Sequence, residues 1–263
     1  MLRGMIAPSF SRAIVSRPAD SFAGGLTSAG LGAPDLALAR GQHDRYVRAL
    51  AACGLEVVEA PSDERFPDGT FVEDTAIVTP RGAILARPGA PSRAAEVAAI
   101  RETLEACVEV LDAIAPPGSV DGGDVCAAGA IHLIGISGRT NEEGAAQLSA
   151  CLGRAGFESV TVDVRGLGML HLKSGLAWLG GRRLAAVPAL ADHPALAGFE
   201  IVPVEPEEAY AANCVALGGR VLIASGFPAL ARSLAGLGLE PVALDMSEFQ
   251  KMDGGLSCLS LRF

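Results

Sequence analysis

Two residue types in this chain suit bond-making chemistry, a cysteine and a histidine, and each stands in a glycine-marked segment. Cys258 lies in residues 253–263, DGGLSCLSLRF, where Gly254 and Gly255 permit a tight backbone approach before an apolar alternation that ends on Leu261 and Phe263. The alternation puts the thiol near the end of a strand. A thiol reacts as thiolate, so it needs a proton acceptor or a positive charge beside it, and His171 in LHLKSG is the candidate. Alone, each has a plainer reading: a small buried hydrophobe for the cysteine, a hydrogen-bonded structural residue for the histidine. Company changes this. Glu73, Asp74, Asp121 and Asp124 precede apolar runs where a core strand should already be apolar. Singly such carboxylates are turn or cap residues. Grouped with no basic neighbour they repel one another, unless a cation fills the space between them. A guanidinium is planar, permanently charged and pairs with carboxylates in bidentate fashion. The expected ligand is a small cation.

The elements that must bring these residues together repeat. An apolar segment at 5–15 reads as a strand, followed by a glycine-rich loop at 24–32 (GGLTSAGLG) flexible enough to act as a lid. Pro34 and Asp35 open a helix running to about Cys53, with Leu38, Val47 and Leu50 on one face, and 55–59 reads as a strand. Hairpins then read at 71–78 with 83–86, at 120–128 with 131–134, from 170 returning through 184–187, and at 213–217 with 221–224. Helices at 92–107, 141–155 and 228–237, and strands at 108–111, 159–164, 200–204 and 241–244, complete the units. The hairpins start at 71, 120, 170 and 213, separated by 49, 50 and 43 residues, and a period near 50 marks a repeat architecture. Residues 256–263 lack a second strand and the segment at 5–15 lacks a first. Pairing the two closes a ring of five strand-strand-helix-strand units about a central channel, a single propeller-like α/β domain over residues 1–263. Glu73 with Asp74, Asp121 with Asp124, His171, Asn213 and Cys258 then share one phase of the repeat. Asn213 reads as structural.

Composition narrows the function class. The chain has 263 residues with a net charge of −9 and no basic run, which disfavours nucleic acid and favours cations. No apolar run reaches the length of a membrane span, and the N-terminal segment shows no cleavage site, so a cytoplasmic protein is expected. The six cysteines are scattered without a CxxC pair, which argues against a zinc or redox motif.

Taken together, LTSAGLG at 26–32, FPDGTFVEDT at 66–75, RPGAPSR at 87–93, DGGDV at 121–125, RTNEEG at 139–144, HLKSGLA at 171–177, YAANC at 210–214 and DGGLSCLSLRF resemble dimethylarginine dimethylaminohydrolases. These belong to the guanidino-modifying superfamily with the five-bladed β/α propeller, or pentein, fold. The resemblance implies Cys258 as nucleophile, His171 as acid and base, and Asp121 as the catalytic carboxylate, which either orients His171 or holds a guanidinium nitrogen. It also implies Asp68, Glu73 and Asp74 as substrate-binding acids, Arg93 and Arg139 at the amino-acid end, and Leu26 and Met252 as lid and backbone contacts. No metal or organic cofactor is implied. The implied reaction converts a methylated arginine to citrulline and an amine through an S-alkylthiouronium on Cys258, in a monomer or homodimer. A related guanidine deiminase or amidinotransferase is the nearest alternative. A non-catalytic, ribosome-binding propeller is the remote one, against which the Cys/His/carboxylate set and the acidic charge both count.

Overall fold

Runs of four to six apolar residues are too short for stable hairpins by themselves, and here they assemble in threes. The structure, a computed structural model, describes residues 10–263 and contains five three-stranded sheets. The first holds β1 (Arg12–Ser16) between β2 (Glu56–Ala60) and a strand from the far end of the sequence, Leu261–Arg262. The second is β3 (Ala76–Thr79), β4 (Gly82–Leu85) and β5 (Val110–Ala113), and the third is β6 (Val125–Ala128), β7 (Ile131–Ile136) and β8 (Glu158–Asp163). The fourth is β9 (Leu176–Gly180), β10 (Arg183–Ala186) and β11 (Glu200–Pro203), and the fifth is β12 (Val215–Leu217), β13 (Arg220–Ala224) and β14 (Glu240–Leu244). Leu261–Arg262 is β15. In every sheet the middle strand is antiparallel to one neighbour and parallel to the other. The parallel neighbour is reached through a crossover carrying α1 (Leu36–Ala52), α2 (Glu96–Glu105), α3 (Glu142–Arg154), α4 (Pro188–Ala191) or α5 (Pro228–Gly236), and α6 (Ser247–Gln250) follows β14. This is the five-bladed β/α propeller expected from the repeat.

The first blade is completed by the pairing of distant segments, with Ala13 opposite Arg262 and Ile14 opposite Leu261. Of the strand expected at 5–15, residues 5–9 lie outside the described residues, and the rest forms β1 from Arg12 onward. The short 43-residue interval also has a cause: α4 has only four residues, where α3 has thirteen. Helix starts follow from capping. The Asp35 Oδ1 accepts from the Leu38 N–H at 2.9 Å, and the Asn141 Oδ1 accepts from the Gly144 N–H at 2.8 Å. One helix expectation fails, since Leu38 is 56% exposed. The inner stripe of α1 is Ala39, His43, Tyr46 and Leu50, and Leu38 stands one residue off that helical spacing.

The polar residues sharing a repeat phase lie not on the strands expected to carry them but in, or immediately beside, short 3-10 segments that lead into them. These turns are Val72–Thr75, Gly122–Asp124, Leu172–Ser174, Pro206–Ala212 and Ser257–Leu259. A turn at this point gives its side chains a neighbour's backbone to bond, which a strand side chain would not reach. The five turns form a closed circuit. Asp74 Oδ1 accepts from the Gly123 N–H (2.7 Å), and Asp124 Oδ1 accepts from the Leu172 N–H (2.9 Å). Asn213 Nδ2 donates to the Lys173 carbonyl (3.0 Å), while its Oδ1 accepts from the Ser257 N–H (2.8 Å). Ser257 Oγ donates to Glu73 Oε2 (2.7 Å), returning to the turn that holds Asp74. Glycines make the approach feasible: a Cβ on Gly122 would lie 1.9 Å from the Glu73 carbonyl, and one on Gly123 would lie 2.6 Å from His171 Nδ1. Asn213 is structural, as expected, and is a link of this circuit.

Candidate active site

Cys258 sits mid-turn in Ser257–Leu259, half-buried, with the Gly255 N–H directed at Sγ (3.4 Å). His171 caps the next turn but one around the circuit. Its Nε2 meets Asp121 Oδ2 at 2.9 Å, and the other carboxylate oxygen of Asp121 accepts from the Gly89 N–H at 2.7 Å. Asp121 is fully buried, so both oxygens are fixed by protein donors. Cys258 and His171 line the same two adjoining chambers. Asp121 thus stands where it could orient the imidazole.

Electrostatics fix the resting protonation states. Burial opposes charge on His171, but Asp74, the Asp121 hydrogen bond and Asp124 outweigh it and raise the pKa to about 9. Burial and the charges of Glu73 and Asp74 push the Cys258 thiol up to about 12, against the opposing pull of the Gly255 N–H and Lys173. The pair therefore rests as imidazolium and thiol. Burial works against the Asp74 carboxylate too, yet His171, Arg93 and the Gly123 N–H hold its pKa well below the usual carboxylate range. Ligand atoms of Asp74, Asp121 and His171 lie within 4.8 Å of one another, a spacing that could hold a metal ion. At neutral pH the cation in that cluster is the imidazolium, and Arg93 and Gly89 already bond the two carboxylates.

One chamber gathers Leu26, Asp68, Asp74, Arg93, Arg139, His171, Met252 and Cys258. Thus nine of the ten residues that the resemblance implies converge there or, like Asp121, bond directly to a wall residue. Asp68 holds the lid: its Oδ1 accepts the Leu26 N–H at 3.0 Å, and burial raises its pKa while Arg93 opposes. The two arginines differ. Arg93 is buried with its guanidinium committed to Asp74 Oδ2, to Glu96 Oε2 at 2.8 Å and to the Phe71 carbonyl at 2.9 Å. Arg139 is half-buried and its guanidinium makes no ion pair among the described residues. Gly89 lets that loop approach, since a Cβ there would lie 2.2 Å from the Arg139 carbonyl.

Glu73 does not line this chamber. Its Oε1 pairs with Lys173 Nζ (2.6 Å) and Arg262 Nη2 (3.0 Å), its Oε2 accepts from Ser257, and it borders a cavity of about 120 Å³ on the other side of the circuit. The premise of carboxylates without basic neighbours is therefore corrected: Lys173 and Arg262 neutralise Glu73, while Arg93 and His171 balance Asp74. Lys173 was within reach of the sequence, two positions after His171 in HLKSG. Arg262 was not, because 189 residues separate it from Glu73. Tyr210, whose hydroxyl donates to the Gly254 carbonyl at 2.8 Å, stands in YAANC, and nothing in that motif marks it as a partner of Gly254.

No family model matches the chain. Whole-chain comparison gives a clear result. An N(G),N(G)-dimethylarginine dimethylaminohydrolase of Pseudomonas aeruginosa is 42% identical over 255 residues, covering 97% of this chain and 100% of the relative. Its namesake in Streptomyces coelicolor is 41% identical over 254 residues, covering 95% and 96%. A solved structure of the Pseudomonas aeruginosa protein, a cysteine-to-serine mutant complexed with citrulline, superposes with a TM-score of 0.94 over 97% of this chain and 100% of that one, at 42% identity. The N-terminal domain of ArgZ, an arginine dihydrolase of cyanobacteria, superposes with a TM-score of 0.84 at 18% identity, covering 95% and 97%, which is a likeness of fold. With the same propeller, the same span and two relatives above 40% identity, the chain belongs to the dimethylarginine dimethylaminohydrolase family.

Proposed function

We propose that this chain hydrolyses Nω-methylated arginines to citrulline, releasing dimethylamine or methylamine. The observation that carries the reading is one chamber in which Cys258, a protonated His171 held by Asp121, the buried carboxylates Asp68 and Asp74, and the uncommitted Arg139 all meet. The relatives' shared name supports the substrate class.

The chemistry follows from the resting charges. A thiol held up to about 12 is a poor nucleophile at neutral pH, so the ligand must help ionise it. A bound guanidinium brings positive charge against Sγ and lowers the thiol pKa by proximity, so that the thiol proton passes to solvent, where the released amine later takes it up. Sγ then bonds to the guanidinium carbon, and the carbon–nitrogen bond to the methylated nitrogen breaks as His171 gives that nitrogen a proton. Water next attacks the S-alkylthiouronium, passing one proton to His171 and the other to the departing Sγ as the carbon–sulfur bond breaks and citrulline forms. The two steps sum to methylarginine plus water giving citrulline plus amine, with His171 and Cys258 restored. Asp121 keeps the imidazole oriented, Arg139 holds the α-carboxylate, and Asp68, Leu26 and Met252 close over the α-amino end. Arg93 acts through Asp74, and Glu73 forms the far wall with Lys173. No metal or organic cofactor takes part.

Six free cysteines fit a reducing, cytoplasmic compartment, and no helix among the described residues is long and apolar enough to cross a membrane. The acidic surface fits a small cationic partner rather than nucleic acid. A single domain over 1–263, as monomer or homodimer, completes the reading. The test is a substrate panel: citrulline from asymmetric dimethylarginine and monomethylarginine, with matching amine and little ammonia from arginine, is expected. Faster release of ammonia from arginine would replace this reading with a deiminase.

A further inference from the structure

Between the two chemical steps the amino-acid part of the substrate is tethered to Cys258 beneath the lid, so the amine must leave and a water must arrive by another way. That requirement rests on the reaction proposed above. The chamber holding Asp68 and Arg139, about 30 Å³, meets a second chamber of about 50 Å³ at Cys258, His171, Asp253 and Gly254. The second chamber has room for a water molecule, which needs about 10–15 Å³ of such space. Three of its wall residues, Ser174, Tyr210 and Asp253, also line an open cleft of about 410 Å³. The remaining walls of the cleft are mainly apolar, among them Leu31, Leu167, Met169, Val187, Ala189 and Ala209.

We propose that this cleft is the exit for the leaving amine and the inlet for the hydrolytic water, with Tyr210, Ser174 and Asp253 forming its inner gate. The chemistry fits the lining. The amine departs neutral, because His171 supplies the proton as the carbon–nitrogen bond breaks, and a neutral amine carrying two methyl groups crosses an apolar wall at little cost. Asp253 lines all three spaces, so a carboxylate stands at the junction to receive the amine N–H. The lid stays shut during this exchange through Asp68 and Leu26 on the substrate side.

Two variants obstruct the cleft from different walls without touching the catalytic groups: Ala189→Trp, at an exposed position of α4, and Ala209→Trp. On dimethylarginine we expect kcat to fall about fivefold or more with KM held within about twofold, as when a release step limits turnover. The Cys258 adduct, read by intact mass after acid quench, should accumulate, and monomethylarginine with its smaller amine should suffer less. Unchanged kcat in both variants overturns the proposal. A raised KM with unchanged kcat overturns it too, since the cleft would then admit substrate. A parent chain inert on both methylarginines instead overturns the reaction, and the passage is then judged without turnover, by alkylation of Cys258 with iodoacetamide at alkaline pH. Slowing in both variants supports the passage; equal rates in variants and parent sink it.

Discussion

Tyr210 of the circuit and the glycine-rich lid loop both bond residues 251–254, yet the same kind of bond does different work in the circuit and in the lid. In the circuit, carboxylates and an amide accept backbone N–H groups in full burial: Asp124 is 0% exposed and Asp74 3%. Losing such a bond leaves a polar group without water, at a cost of about 1–3 kcal/mol each. In the lid, Leu26 and Leu31 are 41% and 54% exposed, and the glycines at its tip, Gly30 and Gly32, take left-handed φ values with open space around them. Its bonds are made to Asp68, to the Lys251 carbonyl and to Asp253. Water can replace the exposed ones. The comparison teaches that burial, not bond type, separates the bonds that water can replace from those it cannot.

Removing the proposed nucleophile should have the largest effect while sparing the circuit. Cys258→Ser is expected to lower kcat by about four orders of magnitude with an unchanged melting temperature. An electrophilic guanidine should label Cys258 and neither Cys126 nor Cys214, whose buried thiols line the opposite cavity. Substantial residual turnover, or label on either of those two, would end the assignment. On the lid side, Arg139→Ala should cost about 2–5 kcal/mol in kcat/KM for a methylarginine and far less for agmatine, which has no carboxylate. Equal losses on both substrates would make Arg139 a surface residue.

The circuit itself is tested by stability. Asp124 accepts from Ser137 Oγ (2.7 Å), Thr140 Oγ1 (2.7 Å) and the Leu172 N–H (2.9 Å), so Asp124→Ala strands three donors and should cost about 3 kcal/mol or more in denaturant unfolding. Ser28→Ala removes a lid bond to Asp253 and should stay within about 0.5 kcal/mol. Similar losses for the two would erase the distinction drawn above. The subtlest effect is on pH. Because the folded pKa of His171 is raised from 6.5 to about 9, its contribution to stability is complete below about 6.5 and is lost as pH rises through about 9. His171→Gln should flatten that part of the stability profile, and should also remove the basic limb of kcat/KM. Parallel profiles for variant and parent would take His171 out of the ionised cluster.

The circuit was legible as a repeat phase because the period carries Glu73, Asp74, Asp121, His171, Asn213 and Cys258 to one place whatever local structure each adopts. The local structure was not legible, since a short 3-10 segment before a strand of two to five residues has no periodicity of its own to read. Leu38 shows the same limit in a helix, where one residue of phase separates core from solvent. Charge balance was hidden for another reason. Glu73 reads as an available acid until the Leu172–Ser174 turn brings Lys173 beside it and the closure of the first blade brings Arg262. The difference between Arg93 and Arg139 likewise depends on partners, not on residue type or spacing.

The pairing of β15 with β1 carries a consequence for how the protein is made. Four blades are built from neighbouring sequence and can form as the ribosome delivers them, but Ala13 must wait for Arg262. Contacts of such long range form slowly, so the first blade is the last to close. Cys258 lies three residues before β15, and Ser257 bonds to Glu73 only when that strand docks. Cys258, the proposed nucleophile, therefore gains its surroundings at the final act of folding, and a nascent chain stopped short of it is inert rather than a loose hydrolase.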